Sequence, residues 1–127
     1  GVPASEIGVF VRSESELSRA KSAIIEARQE AFKITDKFEK NENSVFYGTM
    51  HLAKGLEFRC VAVMACDEDV LPQQDRLERV TDVSDLAEVY DTERHLLYVA
   101  CTRAREHLLV TGVLPGSEFL EDLKNFK

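Results

Sequence analysis

Cysteine is scarce and scattered in this 127-residue chain: Cys60, Cys66 and Cys101, an odd number with no CxxC spacing. That pattern argues against a disulfide framework and fits reduced thiols in a cytosolic setting. With three scattered histidines, the cysteines show no zinc-ligand spacing either. Each lies in an apolar run, where it reads as a small buried hydrophobe. Long hydrophobic runs are also missing. The longest uncharged one covers residues 60–66, far short of the roughly 20 residues a membrane helix needs. No apolar leader opens the chain, so a cytoplasmic protein without a membrane partner is expected.

Several chemical signatures are absent. No GxxxxGK[ST] loop occurs, so the chain cannot cradle a triphosphate by that route. There is no GxGxxG, no HExxH, and no GxSxG elbow to place a serine nucleophile. No metal site is expected.

What is present is enough for one compact domain over residues 1–127, with no room for a second. Hydrophobic residues make up 44% and charged residues 31%, which suits a folded domain with a real core rather than a disordered chain. Lys and Arg number 16 against 23 Asp and Glu, a formal net charge of -7. A domain that coats nucleic acid by bulk charge is thereby disfavoured, and any such contact must be local. The acidity is concentrated. Residues 67–93 hold ten acids and only two bases, Arg76 and Arg79, so this stretch alone carries -8. It reads as a solvated loop that maintains solubility.

Residues 7–11, Ile-Gly-Val-Phe-Val, form a short apolar run typical of a strand buried on both faces. Ser13 and Glu16 have capping-box spacing, and Leu17, Ala20, Ile24, Ala27 and Ala31 then trace one helix face. Residues 36–44 read as a loop, with a short edge strand just before it. Strands are expected over 45–49, 59–65 and 107–111, and residues 50–58 suit a single turn. A second long helix is expected from Ser84 or Asp85 to about Ala104, with Leu86, Tyr90, Leu97, Cys101 and Ala104 on its apolar face and Glu88 in its first turn. Gly112 and Pro115-Gly116 then interrupt the chain, and Ser117 would cap a short terminal helix. Strands alternating with helices predict an α/β fold with a parallel sheet and helices on both faces.

Three constellations carry polar chemistry. Arg12 directly follows the first strand, and ligands of parallel α/β sheets bind at strand carboxyl ends. It could reach a phosphate there, although position alone favours a surface arginine. The second is Thr49-Met50-His51-Leu52-Ala53-Lys54-Gly55-Leu56-Glu57-Phe58. Thr49 and His51 could donate to phosphate, Gly55 would allow close backbone approach, and Glu57 could accept from a sugar hydroxyl. An ordinary polar strand-to-turn connection is an equal reading. The third is Tyr98-Val99-Ala100-Cys101-Thr102-Arg103-Ala104-Arg105. Arg103 would sit at the edge of a packed face as a rigid guanidinium able to fork onto phosphate, while Arg105 better suits a helix-dipole role.

In order and wording these segments resemble motifs IV, V and VI of superfamily 1 helicases of the UvrD/Rep type. Ile7-Gly8-Val9-Phe10-Val11-Arg12 resembles motif IV, the segment from Thr49 to Phe58 motif V, and Glu93-Arg94-His95-Leu96-Leu97-Tyr98-Val99-Ala100-Cys101-Thr102-Arg103-Ala104 motif VI. The resemblance runs over residues 7–112 and implies a RecA-like second motor domain (2A), a P-loop NTPase-like fold lacking the P-loop. It would close over ATP and magnesium held mainly by an N-terminal RecA-like domain of the same polypeptide. By resemblance, Arg12 and Arg103 would contact the γ-phosphate, Arg103 as the arginine finger. Gly55 would approach the same phosphate, Glu57 would bind the ribose, and Thr49 and His51 would contact single-stranded DNA.

Motifs I to III are absent, so the chain is expected to be a fragment, monomeric and inactive alone. Only 36 residues separate Arg12 from Thr49, so the large 2B insertion usual in this family is missing or very short. Two alternatives stand beside the motor: a non-catalytic nucleic-acid or protein-binding module that kept the fold, and the motor half of a helicase–nuclease.

Overall fold

The computed structural model describes residues 2–35, 43–113 and 115–120. Five parallel strands form one sheet in the order β2-β3-β1-β4-β5: β1 (Ile7–Val11), β2 (Glu30–Lys33), β3 (Ser44–Thr49), β4 (Phe58–Val63) and β5 (Ala104–Val110). Among the described residues they are accompanied by the α-helices α1 (Leu17–Glu26), α2 (Gln74–Glu78) and α3 (Val83–Cys101). The expected α/β architecture is therefore found, including the short edge strand β2.

The central strands alternate between two buried faces. Val9, Val11, Val45 and Tyr47 pack with Ala20 and Ile24 of α1 on one side. Phe10, Phe46, Phe58, Val61 and Val63 pack with Leu97, Ala100 and Cys101 of α3 on the other. Apolar residues fill both sides of β1 and β3, which is why these strands read as continuous hydrophobic runs. On β5, by contrast, Leu108 and Leu109 are exposed.

Several element ends differ from expectation. Ser13 precedes a 3₁₀ turn, Glu14–Glu16, and makes no side-chain cap; its hydroxyl instead meets that of Ser15 at 2.9 Å. The chain turns too tightly there for the capping box to close. Helix α1 stops at Glu26 because Arg28 adopts a left-handed φ of 62°. The Gln29 N–H then reaches the Ile24 carbonyl and the Arg28 N–H that of Ile25, a Schellman ending. Ala31 consequently lies in β2 and not on the helix.

Helix α3 begins at Val83 with Asp82 as its N-cap, the carboxylate accepting from the Asp85 N–H at 2.8 Å. Asp85, not Glu88, occupies its first turn. The helix ends at Cys101, so Ala104 opens β5, and the early apolar positions Val83 and Leu86 are exposed. Of the expected loop over 36–44, residues 36–42 lie outside the described residues; Ser44 already belongs to β3. Ser117 does accept from the Phe119 N–H as a helical turn opens at residues 119–120, and residues 121–127 of the expected terminal helix lie outside the described residues.

All strands being parallel, the crossovers run from one end of the sheet to the other, and two of them position the polar residues singled out above. Residues 50–57 leave β3 at its carboxyl end through a 3₁₀ turn, Met50–Leu52, and reach the start of β4 at the opposite end. They cross the face that α3 covers, with Met50 and Ala53 buried in its core. Helix α3 runs the same way, from the carboxyl ends of the strands to the amino end of β5.

At the amino end the Phe58 ring lies over Gly8 and packs against Phe10 and Phe46, with ring centroids 5.9 Å away in each case. A Cβ on Gly8 would fall 2.7 Å from a Phe58 ring carbon, inside contact distance, and the surrounding rings leave Phe58 no room to retreat. Gly8→Ala is accordingly expected to cost about 1–3 kcal/mol of stability, measured as a lower urea midpoint at constant m-value. An unchanged midpoint would show that the aromatic cluster is loosely packed.

Candidate functional site at the two ends of the sheet

Strand β1 lies in the middle of the sheet, and the helices following β1 and β4 depart to opposite faces. That arrangement opens a crevice at the strand carboxyl ends. Arg12, the first residue beyond β1, is placed there by its strand. It is only 3% exposed, so it is not the surface arginine that its position suggested. Its Nε and one terminal nitrogen donate to the two oxygens of Glu93, at 2.8 and 2.6 Å, and the same terminal nitrogen reaches the Gln73 side-chain carbonyl at 3.2 Å.

Glu93 is the centre of this arrangement. It is fully buried and also accepts from the Gln73 backbone N–H at 2.6 Å and from Arg76 at 2.9 Å. Burial alone would push its carboxyl pKa up, but the hydrogen bonds from Arg12, Gln73 and Arg76 outweigh this and hold it below the ordinary glutamate value. The acidic stretch is thus not simply a solvated loop, since both of its ends are buried. At the other end, Asp67 accepts from Arg19 at 2.6 Å and from the Val113 N–H at 2.6 Å. The Arg19 hydrogen bond is the main cause of its lowered pKa; burial opposes it and the Val113 bond adds to it.

Thr49 and His51 border the same depression as Arg12, Gln73 and Arg76. Thr49 ends β3 and is largely buried, whereas His51 is exposed on the following turn. The His51 pKa is lowered, first by desolvation and then by the Arg12 charge, with a smaller push from Arg76 and partial opposition from Glu93. Its surroundings therefore favour the neutral imidazole.

The other expected residues gather at the amino end. Arg103 lies just past α3, where its carbonyl accepts from the Phe58 N–H. Its guanidinium donates to the carbonyls of Val99 (3.0 Å) and Leu56 (3.5 Å) and to the Thr102 hydroxyl (3.0 Å). It thereby satisfies a terminal helix carbonyl, a role the sequence suggested for Arg105. Arg105 instead pairs with Glu57 at 3.3 Å and with Glu6. Gly55 is exposed with φ 84°, a left-handed conformation that explains its glycine.

Arg12, Thr49 and His51 are thus brought together at one end, and Gly55, Glu57 and Arg103 at the other. Arg12 and Arg103 are not. The eight helical residues from Glu93 to the end of α3 at Cys101 rise about 12 Å, so the two guanidiniums lie on different edges of the domain. Among the described residues no cluster of His, Cys, Asp and Glu could hold a metal ion. The Cys66 and Cys101 thiols are pushed up to about 12 and about 11 by burial, so neither is a nucleophile at neutral pH.

Sequence reasoning missed Gln73, Arg76 and the pairing of Glu93. One signal was available. Glu93 falls on the same helical stripe as Leu97, Ala100 and Cys101, and a carboxylate on a buried stripe requires a cationic partner.

Removing that carboxylate should be costly, because two guanidiniums would then share a buried neutral group. Glu93→Gln is expected to lose about 3–5 kcal/mol at pH 7 by urea unfolding. The folded-state pKa of Glu93 is depressed, so its contribution is complete above the unfolded glutamate value and is lost as pH falls through the folded one. The gap between wild type and variant should therefore narrow on acidification below the ordinary glutamate range. A gap that stays constant with pH would exclude Glu93 as an ionised hub.

The chain matches the model of the UvrD-like helicase C-terminal domain over residues 11–114. It is 34% identical over 87 residues to an ATP-dependent DNA helicase, UvrD1, of Mycobacterium leprae, covering 68% of this chain and 10% of that protein. It is 43% identical over 70 residues to the ATP-dependent DNA helicase PcrA of Staphylococcus aureus, covering 55% and 9%. The chain thus spans about a tenth of the length of these curated relatives. Its fold is similar to a crystal structure of the C-terminal domain of a possible DNA helicase from Lactobacillus plantarum. The TM-score is 0.62 at 23% identity, covering 91% of this chain and 61% of that one, a likeness of fold alone. With a family model running from the end of β1 through the sheet-crossing turn and α3 to the end of β5, this chain belongs to the UvrD-like helicase C-terminal domain family.

Proposed function

We propose that this chain is the second motor domain of an ATP-dependent DNA helicase, with a nucleotide-facing edge at the amino end of its sheet and a strand-facing edge at the carboxyl end. The observation that carries this reading is the pair of sheet-spanning segments. Residues 49–57 place Thr49 and His51 at one end and Gly55 and Glu57 at the other. Helix α3 holds Glu93 at the one end and leads into Arg103 at the other. Anything that moves the Gly55–Arg103 edge pulls on the Thr49–His51 edge through a short connection and a packed helix, which is the coupling a translocating motor requires.

At the nucleotide edge, Arg103 supplies the guanidinium that reaches across to a triphosphate held by an N-terminal motor domain of the same polypeptide. The residues gathered there fit part of a nucleotide: Gly55 offers an exposed backbone N–H, Glu57 an exposed carboxylate for a ribose hydroxyl, and Arg103 a fork of donors. They include no phosphate loop and no acid pair for magnesium, so both belong to the other domain. Arg103 must release the Leu56 and Val99 carbonyls to reach the phosphate. Arg12, expected at the same phosphate, would have to leave a bidentate buried carboxylate to get there. Its bonds to Glu93 favour a role in holding the strand-facing edge together. At that edge Thr49 and His51 donate hydrogen bonds to the backbone of a single DNA strand.

The isolated 127-residue chain should show no single-strand-stimulated ATP hydrolysis, because it holds half a site; appreciable turnover by the chain alone would overturn the two-domain account. In the full-length protein, Arg103→Ala should lower ATP turnover by about 10³–10⁵-fold, the range for loss of an arginine finger, while leaving affinity for single-stranded DNA within about two-fold. Near-normal turnover in that variant would remove the finger assignment.

A further inference from the structure

The strand-facing edge has a shortage of charge, and it is this that locates an additional residue. Single strands are gripped chiefly through their phosphates, yet Thr49 carries no charge and the surroundings of His51 disfavour its charged form. The chain as a whole repels polyanions, at -7. Two cations border the depression between Thr49 and His51, Arg12 and Arg76.

The two are not equivalent. Arg12 is almost entirely enclosed, with its side chain 4% exposed and its bonds directed at Glu93 and Gln73. Arg76 touches the same carboxylate through one terminal nitrogen at 2.9 Å, but its side chain is 33% exposed. Two guanidiniums on one carboxylate leave a positive charge at the floor of the depression, while the exposed carboxylate of Glu14 lies at its rim. Only the Arg76 end of that charge faces solvent. Ser13 and Ser15, whose hydroxyls lie 2.9 Å apart, add uncharged donors at the rim of the same depression.

We propose that Arg76 contacts a backbone phosphate of the bound single strand, beside Thr49 and His51, and that Glu93 is the positioning residue that holds its guanidinium in place. This rests on the strand-binding reading of the carboxyl-end depression given above. The anchoring has a physical purpose. A free arginine loses side-chain entropy when it grips a ligand, whereas one fixed by a buried carboxylate has already lost it in folding. Arg76 sits in the five-residue helix α2, and the neighbouring Gln73 N–H also binds Glu93. A single carboxylate therefore orders the segment and aims its cation.

Fluorescence anisotropy of a labelled oligo-dT on the full-length protein, titrated at several salt concentrations, tests this. Arg76→Ala should weaken binding about ten-fold near 0.1 M salt. The slope of log affinity against log salt should fall by about 0.7, the value of one phosphate contact on a single strand. Arg76→Lys should recover most of the slope, and Arg79→Ala, an exposed arginine three residues away, should behave as wild type. The urea midpoint of Arg76→Ala should change little, since Glu93 keeps Arg12 and the Gln73 N–H.

Unchanged affinity and slope in Arg76→Ala would overturn the assignment. So would an affinity loss that tracks a large fall in the urea midpoint with the slope intact, because that is the mark of a structural residue. Failure of the wild-type protein to bind the oligonucleotide would instead remove the strand-binding reading itself, a result distinct from a variant that binds like wild type.

Discussion

One buried carboxylate ties the carboxyl end of this domain together. Glu93 has no exposed surface and accepts from Arg12, from the Gln73 backbone and from Arg76. It thus joins the end of the central strand, the middle of a long helix and the segment leading into α2. A buried ion pair is not in itself a strong stabiliser, since desolvation offsets most of its Coulomb attraction. Its consequence is geometric. Hydrogen bonds from two chain segments to a carboxylate on a third fix the relative positions of all three, whereas apolar packing of the same volume would tolerate sliding.

The remaining architecture transmits that order along the sheet. A parallel sheet needs crossovers that travel its full length, and here two of them carry polar residues at both ends. The stretch from Thr49 to Glu57 is short and pinned at its middle by Met50 and Ala53 in the core. Helix α3 is stiff and buried along Leu97, Ala100 and Cys101. In the proposed motor, these two members connect the nucleotide edge to the strand edge. A packed interior moves as a block, so a shift at Gly55 and Arg103 is felt at Thr49 and His51 without any flexible relay.

Much of this was legible in the residues. Apolar runs identified β1, β3 and β4 because strands buried on both faces need apolar side chains at every position. The Thr49–Phe58 and Glu93–Ala104 wording identified the family because these segments combine several chemically distinct groups at fixed spacing. Less legible were the ends of elements. Ala31 has the right spacing to continue α1, yet a left-handed Arg28 closes that helix first. Ala104 has the right spacing to continue α3, yet its place beside Phe58 at the start of the β4–β5 ladder makes it strand. In both cases a long-range pairing overrode a local periodicity.

Periodicity and motif wording by themselves determined the α/β class, the two-sided burial of the sheet, the lack of a phosphate loop and the family. These follow from local chemistry, from which residue types recur at which spacing. Only the tertiary structure decided that Arg12 is buried against Glu93, that it lies an α3 half-length from Arg103, and that Arg76 joins the Thr49–His51 depression. Such facts concern residues 17 to 81 positions apart that meet around one carboxylate. No local rule encodes them, because which charges share a buried site depends on where the sheet order and its crossovers bring the chain.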